Sequence, residues 1–289
     1  MEHLIEARGL CKRWPRFTLG PLDLTVPAGS IVGLVGENGA GKTTTLKLLL
    51  GVLKADAGSV KLLGADPGDR KALAQVGVVF EDAYFYKELC PEQVGKVMAK
   101  VYDTWDAPLY RDYCERFGLP GRQPLKEFSR GMRMKLSLAT ALAHHPRLLI
   151  LDEATSGLDL VVRGEMLDLF LEFIQDEERG VLMSSHITCD LEKVADEVVY
   201  LHRENEGHSR VIFQRNKDEL MGQYGLLRCS RAAAERLPGE MVIHLRQNTF
   251  GCEVLVSDRD AARRLLPDAV CDPASIDDIM QFYTGRDRK

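Results

Sequence analysis

The sequence predicts an α/β fold, and three observations support that class. A short apolar run, Ile31 to Val35, leads directly into a glycine-rich stretch, Gly36 to Thr43 (GENGAGKT), and a helical pattern of apolar residues follows. A second apolar run, Leu148 to Leu151, continues without alternation into Asp152 and Glu153, as strands buried in a parallel sheet do. The chain has 289 residues, of which 45% are hydrophobic and 28% are charged, as in ordinary globular proteins.

The glycine-rich stretch has the pattern of a phosphate-binding loop between a strand and a helix. Its glycines let consecutive backbone N–H groups turn inward around an anion. In such a loop Lys42 reaches the β and γ phosphates of a nucleotide, and the Thr43 hydroxyl holds a Mg²⁺ ion. The alternative is a glycine-rich turn that merely precedes a helix, and the strand before the loop favours the phosphate site.

Length, charge and cysteine content limit the function classes. A chain of this length predicts roughly two domains. The formal net charge of −5 argues against nucleic acid as the main partner, because no basic excess would displace the counterions of its phosphates. Seven cysteines without any C-x-x-C pair indicate reduced thiols rather than a disulfide framework or a metal site. The N-terminus lacks a signal-peptide pattern and the apolar runs are short, so we expect a chain that does not cross a membrane.

The start of the chain is predicted to be rich in strands. Leu4 to Ala7 is a short, mostly apolar run, and Leu22 to Val26 alternates apolar and polar residues as half-buried strands do. Trp14 lies between these runs, on a predicted loop. Its ring is either partly buried in that loop or stacked on a nucleotide base.

A helical insertion is predicted after the phosphate loop. Val60 to Leu63 and Gln75 to Phe80 have the character of further strands. From Pro91 to about Phe117 the apolar residues recur at helical spacing, and the Gly118 to Gly121 stretch (GLPG) ends that pattern. The insertion therefore separates the phosphate loop from the acidic pair.

Two further features complete the pattern. Ser129 precedes a helical run that continues to about His144, so we expect it to cap a helix N-terminus, which can also bind a phosphate. Asp152 and Glu153 follow a parallel-type strand, where open α/β sheets bind ligands. Asp152 is placed to hold Mg²⁺ through water, and Glu153 to orient and deprotonate a water beside the γ phosphate. The alternative, two solvated acids at a strand end, is disfavoured by the phosphate loop.

The order of these motifs resembles that of one family. The phosphate loop is followed by Ser129 to Met132 (SRGM), the Asp152–Glu153 pair, Ser156 to Asp159 (SGLD) and Ser184 to His186 (SSH). Over about residues 1–214 the chain resembles the ATP-binding subunits of ABC transporters, and it looks most like those of bacterial exporters whose membrane part is a separate polypeptide. The resemblance implies a P-loop NTPase core of the ABC ATPase type with a β-rich N-terminal part and a helical subdomain inserted at about residues 87–128.

The resemblance also implies a role for each matching residue. Trp14 would stack on adenine, and the phosphate loop would comprise Gly36, Glu37, Asn38, Gly39, Ala40, Gly41, Lys42, Thr43 and Thr44. The catalytic residues would be Lys42, Glu153 and His186, and the metal contacts would be Thr43, Asp152 and Glu81. In this family the signature motif, which here includes Ser129 and Gly131, touches the ATP of the opposite subunit, and Asp159 matches an acid at the seam of the dimer that belongs to the nucleotide site. Two shared ATP sites would therefore form between two copies.

Three residues depart from the family pattern. Glu81 stands where a glutamine commonly contacts Mg²⁺ and the attacking water. An extra anion near the triphosphate is tolerable only with the cation bound, so a metal contact by Glu81 is a hypothesis. Arg130 is an extra cation in the signature motif that faces either phosphate or solvent, with solvent favoured. Ala154 replaces a proline that often follows the catalytic glutamate, and no functional consequence is expected.

Three adjacent aromatic residues, Tyr84, Phe85 and Tyr86, lie at the junction between the predicted core and the insertion. They cannot all point into one core, so at least one is expected to offer apolar area to a partner helix. In the family the membrane partner docks in the groove at this junction. The alternative is a local corner of the core.

The family resemblance fades beyond about residue 214. Residues 215–289 contain short strand-like runs, Met241 to Leu245 and Glu253 to Val256, between helical ones, which predicts a small C-terminal α+β domain. Ser275 to Tyr283 has an amphipathic helical pattern that favours core packing over partner binding. His202 and His208 are too weakly placed to predict a metal site.

We therefore expect an ATP-hydrolysing subunit of an ABC exporter that uses ATP and Mg²⁺. It would work as a homodimer or heterodimer with a transmembrane permease subunit, at the cytoplasmic, inner face of the cell membrane, and no nucleic acid partner is expected. Two alternatives stay open, a soluble ABC ATPase outside transport and a module that holds ATP without turning it over. The sequence contains neither a long coiled coil nor a second cassette, which disfavours the first, and Glu153 and His186 disfavour the second.

Overall fold

A nine-stranded mixed sheet lies at the centre of the described structure. The computed structural model of the chain describes residues 2–80, 85–204, 207–248 and 251–285. In chain order, the strands of this sheet are β1 (His3–Trp14), β2 (Phe17–Pro27), β3 (Ile31–Val35), β4 (Ala57–Leu62), β5 (Val76–Val79), β6 (Leu148–Asp152), β7 (Gly180–Ser185), β8 (Glu197–Arg203) and β9 (His208–Asn216). They lie side by side in the order β4-β1-β2-β9-β8-β3-β7-β6-β5.

The parallel half of this sheet sets the direction of the functional loops. β3 pairs in parallel with β7 on one side and with β8 on the other, and β6 lies between β7 and β5. Every residue of β3 is buried, with Ile31 and Val35 in the core on one face and Val32 and Leu34 in the core on the other. Because these strands point the same way, the residues that follow β3, β6 and β7 meet at one edge of the sheet.

The N-terminal strands form the antiparallel half. β1 pairs with both β2 and β4. The predicted runs Leu4 to Ala7 and Leu22 to Val26 lie inside β1 and β2, but both strands are longer, because their pairing continues to Trp14 opposite Phe17. Trp14 is therefore the last residue of β1, and the prediction of a loop at this position is wrong.

Helices pack around the large sheet and form the predicted insertion. They are α1 (Lys42–Leu49), α2 (Arg70–Leu73), α3 (Pro91–Met98), α4 (Ala107–Arg116), α5 (Arg130–Leu142), α6 (Leu160–Phe173) and α7 (Thr188–Val194). The insertion contains two helices, because Asp106 Oδ1 accepts a hydrogen bond from the Leu109 N–H at 2.9 Å and Pro108 suits a first helical turn. Among the described helices, none combines the length and the apolar character that crossing a bilayer requires.

The helical insertion is fastened to the end of α5. Thr104 Oγ1 donates a hydrogen bond to the carbonyl of His144 at 2.8 Å, and the Asp106 N–H donates to the carbonyl of Ala143 at 2.8 Å. The His144 ring is buried and stacks on Tyr102 with ring centroids 4.0 Å apart. Burial lowers the pKa of His144 from 6.5 to about 4, because the charged imidazolium would lose its hydration.

We expect this buried histidine to make the protein less stable in acid. The unfolded chain binds the His144 proton with a pKa near 6.5, whereas the folded chain binds it only near 4. The contribution of the neutral His144 ring to stability is therefore fully present above about pH 7 and is lost as the pH drops towards 4. Between pH 7.5 and pH 5 this loss lowers the free energy of unfolding by about 2 kcal/mol. Urea unfolding at both pH values measures this loss, and His144→Phe should abolish most of it.

His145→Gln is the matched control for this substitution. The neighbouring ring of His145 is about half exposed and contacts Asp106 Oδ2 at 3.1 Å. Its replacement should leave the loss of stability in acid in place, because this variant keeps the buried ring of His144. Equal acid destabilisation of the wild type and of His144→Phe would show that burial of His144 is not the cause.

Residues after β9 form a second, four-stranded antiparallel sheet. Its strands are β10 (Gly225–Cys229), β11 (Val242–Asn248), β12 (Gly251–Val256) and β13 (Val270–Pro273), in the spatial order β11-β12-β10-β13. The accompanying helices are α8 (Lys217–Gln223), α9 (Arg231–Ala234), α10 (Arg259–Leu265) and α11 (Ile276–Gly285). β11 and β12 correspond to the two predicted runs, whereas β10 and β13 were not predicted.

The second sheet shares one of its faces with the core of the first. Leu227 of β10 packs in a separate cluster with residues of α9 and α10, whereas its neighbour Leu226 belongs to the core of the large sheet. The predicted amphipathic helix is confirmed as α11, which buries Ile276, Ile279 and Met280 in that same core. A domain boundary at residue 214 stays a prediction.

Candidate functional site

The phosphate loop joins β3 to α1, as the sequence predicts. Gly36 cannot carry a side chain, because a Cβ there would lie 2.3 Å from the carbonyl oxygen of Leu201. Gly41 has a φ of +103°, which glycine adopts without strain. α1 then begins at Lys42, so the N-terminus of the helix faces the loop, an arrangement that favours an anion.

Lys42 is buried and lies back over the loop. Its Nζ donates a hydrogen bond to the carbonyl of Gly36 at 2.8 Å. The same Nζ lies 3.2 Å from Glu153 Oε1. The phosphate-binding lysine and the predicted catalytic carboxylate therefore form a buried ion pair, although they are far apart in the sequence.

Thr43 and Asp152, two of the predicted metal contacts, lie side by side. Thr43 Oγ1 donates a hydrogen bond to Asp152 Oδ2 at 2.7 Å, and Ser184 Oγ donates to Asp152 Oδ1 at 2.5 Å. Asp152 is buried, so these hydroxyls supply the partners that its charge requires. Glu81, the third predicted contact, lies outside the described residues.

Glu153 is held in an unusual backbone conformation. Its φ is +52°, a left-handed value that costs free energy for a residue with a side chain. The Glu153 N–H donates to the carbonyl of Ser184 at 3.1 Å, and Glu153 Oε2 lies 2.6 Å from His186 Nδ1. The surrounding strands thus place this carboxylate between Lys42 and His186.

The signature residues lie away from the phosphate loop of their own chain. Ser129 caps α5 as predicted, its Oγ accepting a hydrogen bond from the Met132 N–H at 3.2 Å. Gly131 follows in the first turn of α5, and Asp159 caps α6. Arg130 is exposed and its guanidinium lies against Gly157, where a Cβ would be 2.9 Å from its Nη1.

A cavity of about 350 Å³ opens above the phosphate loop. Its lining includes the predicted residues Glu37, Asn38, Gly39, Gly41, Lys42, Thr43, Thr44 and Glu153, and also Phe17 and Arg203, which were not predicted. Trp14 is exposed beside this lining, with its ring centroid 5.7 Å from that of Phe17. The described lining of the cavity does not include Ser129, Gly131 or Asp159.

Two further side-chain contacts between distant residues were not predicted. Glu37 Oε1 lies 2.9 Å from His202 Nδ1, so a histidine that is isolated along the sequence contacts the phosphate loop. Outside the cavity lining, Arg163 Nε donates to the buried Asp190 Oδ1 at 2.6 Å and joins α6 to α7. These partners are 165 and 27 residues apart in the chain, so no local pattern indicates them.

Comparisons of the sequence with known proteins agree with these motifs. The sequence profile of the family described as ABC transporter matches residues 19–156. The chain is 32% identical to the bacitracin transport ATP-binding protein of Enterococcus faecalis, over 72% of this chain and 68% of that protein. It is 30% identical to the lantibiotic transport ATP-binding protein of Streptococcus pyogenes, over 74% of this chain and 92% of that protein. With an uncharacterized ABC transporter ATP-binding protein of Synechocystis it shares 32% identity, and the match spans 72% of this chain and 64% of that relative.

Solved structures show the same fold. The chain superposes on an ATP-binding subunit of an ABC transporter with a TM-score of 0.67 and 28% identity, over 75% of this chain and 91% of that one. The chain also superposes on a dimeric ATP-binding cassette bound to ADP and phosphate, with a TM-score of 0.64 over 73% of this chain and 98% of that one. At 17% identity this is a likeness of fold alone. The predicted α/β fold with an ABC ATPase core is confirmed. Because the ordered motifs, the sheet that joins them and these relatives agree, the chain belongs to the ATP-binding proteins of the ABC transporter family.

Proposed function

We propose that the chain binds and hydrolyses ATP and thereby powers a separate transmembrane subunit. The position of Glu153 is the observation that supports hydrolysis best. Its two carboxylate oxygens lie 3.2 Å from Lys42 Nζ and 2.6 Å from His186 Nδ1. A carboxylate held between a phosphate-binding lysine and a histidine is well placed to take a proton from a water that attacks the γ phosphate.

Lys42 would exchange its anionic partner when ATP binds. The γ phosphate competes with Glu153 for the ammonium group, since both are anions and the ammonium is buried. Once Lys42 turns to the phosphate, the Glu153 carboxylate leaves this ion pair, and the released oxygen can accept a hydrogen bond from water. His186 keeps the carboxylate oriented through its Nδ1–H. If the ring turns towards the nucleotide, the same N–H can donate to the γ phosphate instead.

Thr43 and Asp152 are the described residues that would hold Mg²⁺. A hydroxyl and a carboxylate are hard oxygen donors, and Mg²⁺ usually takes only one or two protein ligands beside phosphate oxygens and water. Among the residues that the structure describes, no group of three or more His, Cys, Asp or Glu side chains competes as a metal site. When bound, the cation would neutralise charge on the β and γ phosphates. Glu81 stays a prediction as a third contact.

A second ATP-binding subunit would complete each site. Ser129 and Asp159 are exposed and lie outside the cavity of their own chain, which supports a role towards the nucleotide of a partner. Leu160 and Val161, next to Asp159, are 81% and 71% exposed, and such adjacent apolar side chains are typical of an interface. The N-terminus of α5 at Ser129 would bring a partial positive charge to the γ phosphate. The dimer is formed either by two identical chains or by two related ones.

A transport role is supported by the relatives named for bacitracin and lantibiotic transport. We infer that the chain works with a transmembrane permease subunit at the cytoplasmic face of the cell membrane, as an exporter. Residues 1–214 would then be the ATP-binding domain, and residues 215–289 a small α+β domain. A soluble ABC ATPase outside transport remains the alternative.

Nucleotide binding and phosphate release by the purified chain test this proposal. The wild type should bind ATP and release phosphate. Lys42→Ala should weaken ATP binding by about tenfold or more, because a charge-assisted phosphate contact is lost. Lys61→Ala is the control, since Lys61 is an exposed lysine paired with Asp66 on the surface. Tight ATP binding without any phosphate release by the wild type would instead favour a module that only holds ATP.

Tyr86 is expected to contribute to docking of the permease. It is 79% exposed, whereas Phe85 is partly buried against the core, and Tyr84 lies outside the described residues. Tyr86→Ala should reduce co-purification with a co-expressed permease severalfold, and it should leave the melting temperature and the basal ATPase rate unchanged. Val52→Ala, which shortens another apolar side chain that is 66% exposed, should assemble normally. Normal assembly of Tyr86→Ala together with a lower melting temperature would contradict the docking role.

A further inference from the structure

Arg203 brings a positive charge to the mouth of the cavity above the phosphate loop. It is the last residue of β8, the strand next to β3, and its side chain lines the cavity together with Lys42 and Thr43. A Cβ on Gly39 would lie 3.1 Å from Arg203 Nη1. The guanidinium therefore lies directly against the middle of the phosphate loop.

The guanidinium is held in place and has no acidic partner among the residues that the structure describes. Its Cζ lies 5.6 Å from the ring centroid of Phe17, which lines the same cavity. Within the described part of the chain, no hydrogen bond or ion pair engages the Arg203 guanidinium. Two described acids in its neighbourhood have other partners, since Glu204 accepts a hydrogen bond from Arg210 at 2.6 Å and Glu37 contacts a histidine at 2.9 Å.

This arrangement suits an anionic ligand better than a structural role. An arginine stacked on an aromatic ring keeps the N–H groups in the plane of its guanidinium available for an acceptor. That planar fork matches two oxygens of one phosphate group. An arginine with a purely structural role normally has a carboxylate or a carbonyl partner, as Arg210 does on the same hairpin.

We propose that Arg203 is a further nucleotide-binding residue, which contacts phosphate oxygens of ATP and ADP and is positioned by Phe17. The inference rests on the proposed function, because it assigns a ligand contact within that same site. Arg203 belongs to the hairpin between β8 and β9 rather than to any motif of the sequence. In the described structure it contacts neither Glu153 nor His186, so it strengthens nucleotide binding and takes no part in the proton transfer.

Nucleotide affinity measured by displacement of a fluorescent ATP analogue tests this assignment. Arg203→Ala should weaken ATP and ADP about three- to tenfold, raise KM by a similar factor and leave kcat within about twofold of the wild type. Arg203→Lys should recover part of the affinity, because the charge returns without the planar fork. The difference between wild type and Arg203→Ala should shrink when the ionic strength rises from about 0.05 M to about 0.5 M.

Arg210→Ala is the matched control, because it removes the same charge from the same hairpin. Arg210 is exposed and already paired with Glu204, so its loss should leave ATP affinity as in the wild type. Equal weakening by both substitutions would indicate a general charge effect and overturn the contact. Melting temperatures of both variants should match that of the wild type.

The remaining outcomes separate this inference from the proposed function. If Arg203→Ala weakens the binding of adenosine as much as the binding of ADP, the contact is to the base or ribose, and the phosphate assignment is wrong. A wild type that binds ATP together with an Arg203→Ala variant of unchanged affinity would overturn only the role of Arg203. A wild type that does not bind ATP at all would overturn the proposed function itself.

Discussion

Replacing Glu153 by glutamine is expected to lower ATP turnover by about 100-fold or more while ATP still binds. Glutamine keeps the shape of the side chain but cannot accept the proton of the attacking water. The substitution also removes the carboxylate charge that lies 3.2 Å from Lys42 Nζ, so the ammonium is freed for phosphate and ATP affinity should be kept or rise. Phosphate release measures turnover, and size-exclusion chromatography with ATP should show a persistent dimer, because the γ phosphate is not cleaved.

Glu177→Gln is the matched control, since it neutralises an exposed glutamate with no described ion pair. It should turn over ATP as the wild type does. Wild-type turnover by Glu153→Gln would show that another group activates the water. Loss of ATP binding by Glu153→Gln would show instead that the carboxylate is needed to hold the site together, with its backbone φ of +52°.

Ser129→Arg should nearly abolish hydrolysis while the ATP affinity of a monomer stays within about twofold of the wild type. Ser129 is exposed and lies outside the cavity of its own chain, so the bulky new side chain would meet a nucleotide only across the dimer. The Ser129→Arg variant should therefore bind ATP normally at low protein concentration and yet fail to turn it over at high protein concentration. If both fell together, Ser129 would act on the nucleotide of its own chain.

Ser129→Ala controls for the loss of the helix cap. The Ser129 hydroxyl accepts a hydrogen bond from the Met132 N–H, and removing it costs about 1 kcal/mol of stability in either variant. Only the arginine adds bulk, so the difference in turnover between the two variants isolates the effect on the dimer. Mixing Ser129→Arg with Lys42→Ala offers a second check, because a mixed dimer contains one site with an intact lysine and an intact serine. Turnover that returns on mixing would show that the two residues act from opposite subunits.

Local sequence was sufficient for the parts of the site whose residues are chain neighbours. The phosphate loop follows β3 and leads into α1, and Ser129 caps α5, as predicted. Asp152 ends a fully buried strand, which the uninterrupted apolar run before it predicted. A strand, a tight glycine turn and a helix start are each set by adjacent residues, so their pattern can be recognised without knowledge of the fold.

Periodicity also predicted a buried face without saying what would cover it. The apolar face of α11 was predicted correctly, yet its neighbour on the large sheet is Tyr200, whose hydroxyl lies 3.5 Å from the carbonyl of Met280. The same hydroxyl lies 3.5 Å from Glu37 Oε1, so the C-terminal helix reaches close to the phosphate loop. An amphipathic pattern reports that a face is buried, and the identity of the covering element depends on the path of the whole chain.

Only the tertiary structure decided which distant residues meet at the edge of the sheet. β3 lies between β7 and β8, so the phosphate loop meets Arg203 at the end of β8, whereas His186, after β7, contacts Glu153. The contact of Glu153 with Lys42 and the approach of Arg203 to Phe17 follow from that order. Hydrophobic period identifies a strand but not its neighbours, because strands that are distant in the chain pair through backbone hydrogen bonds common to every residue.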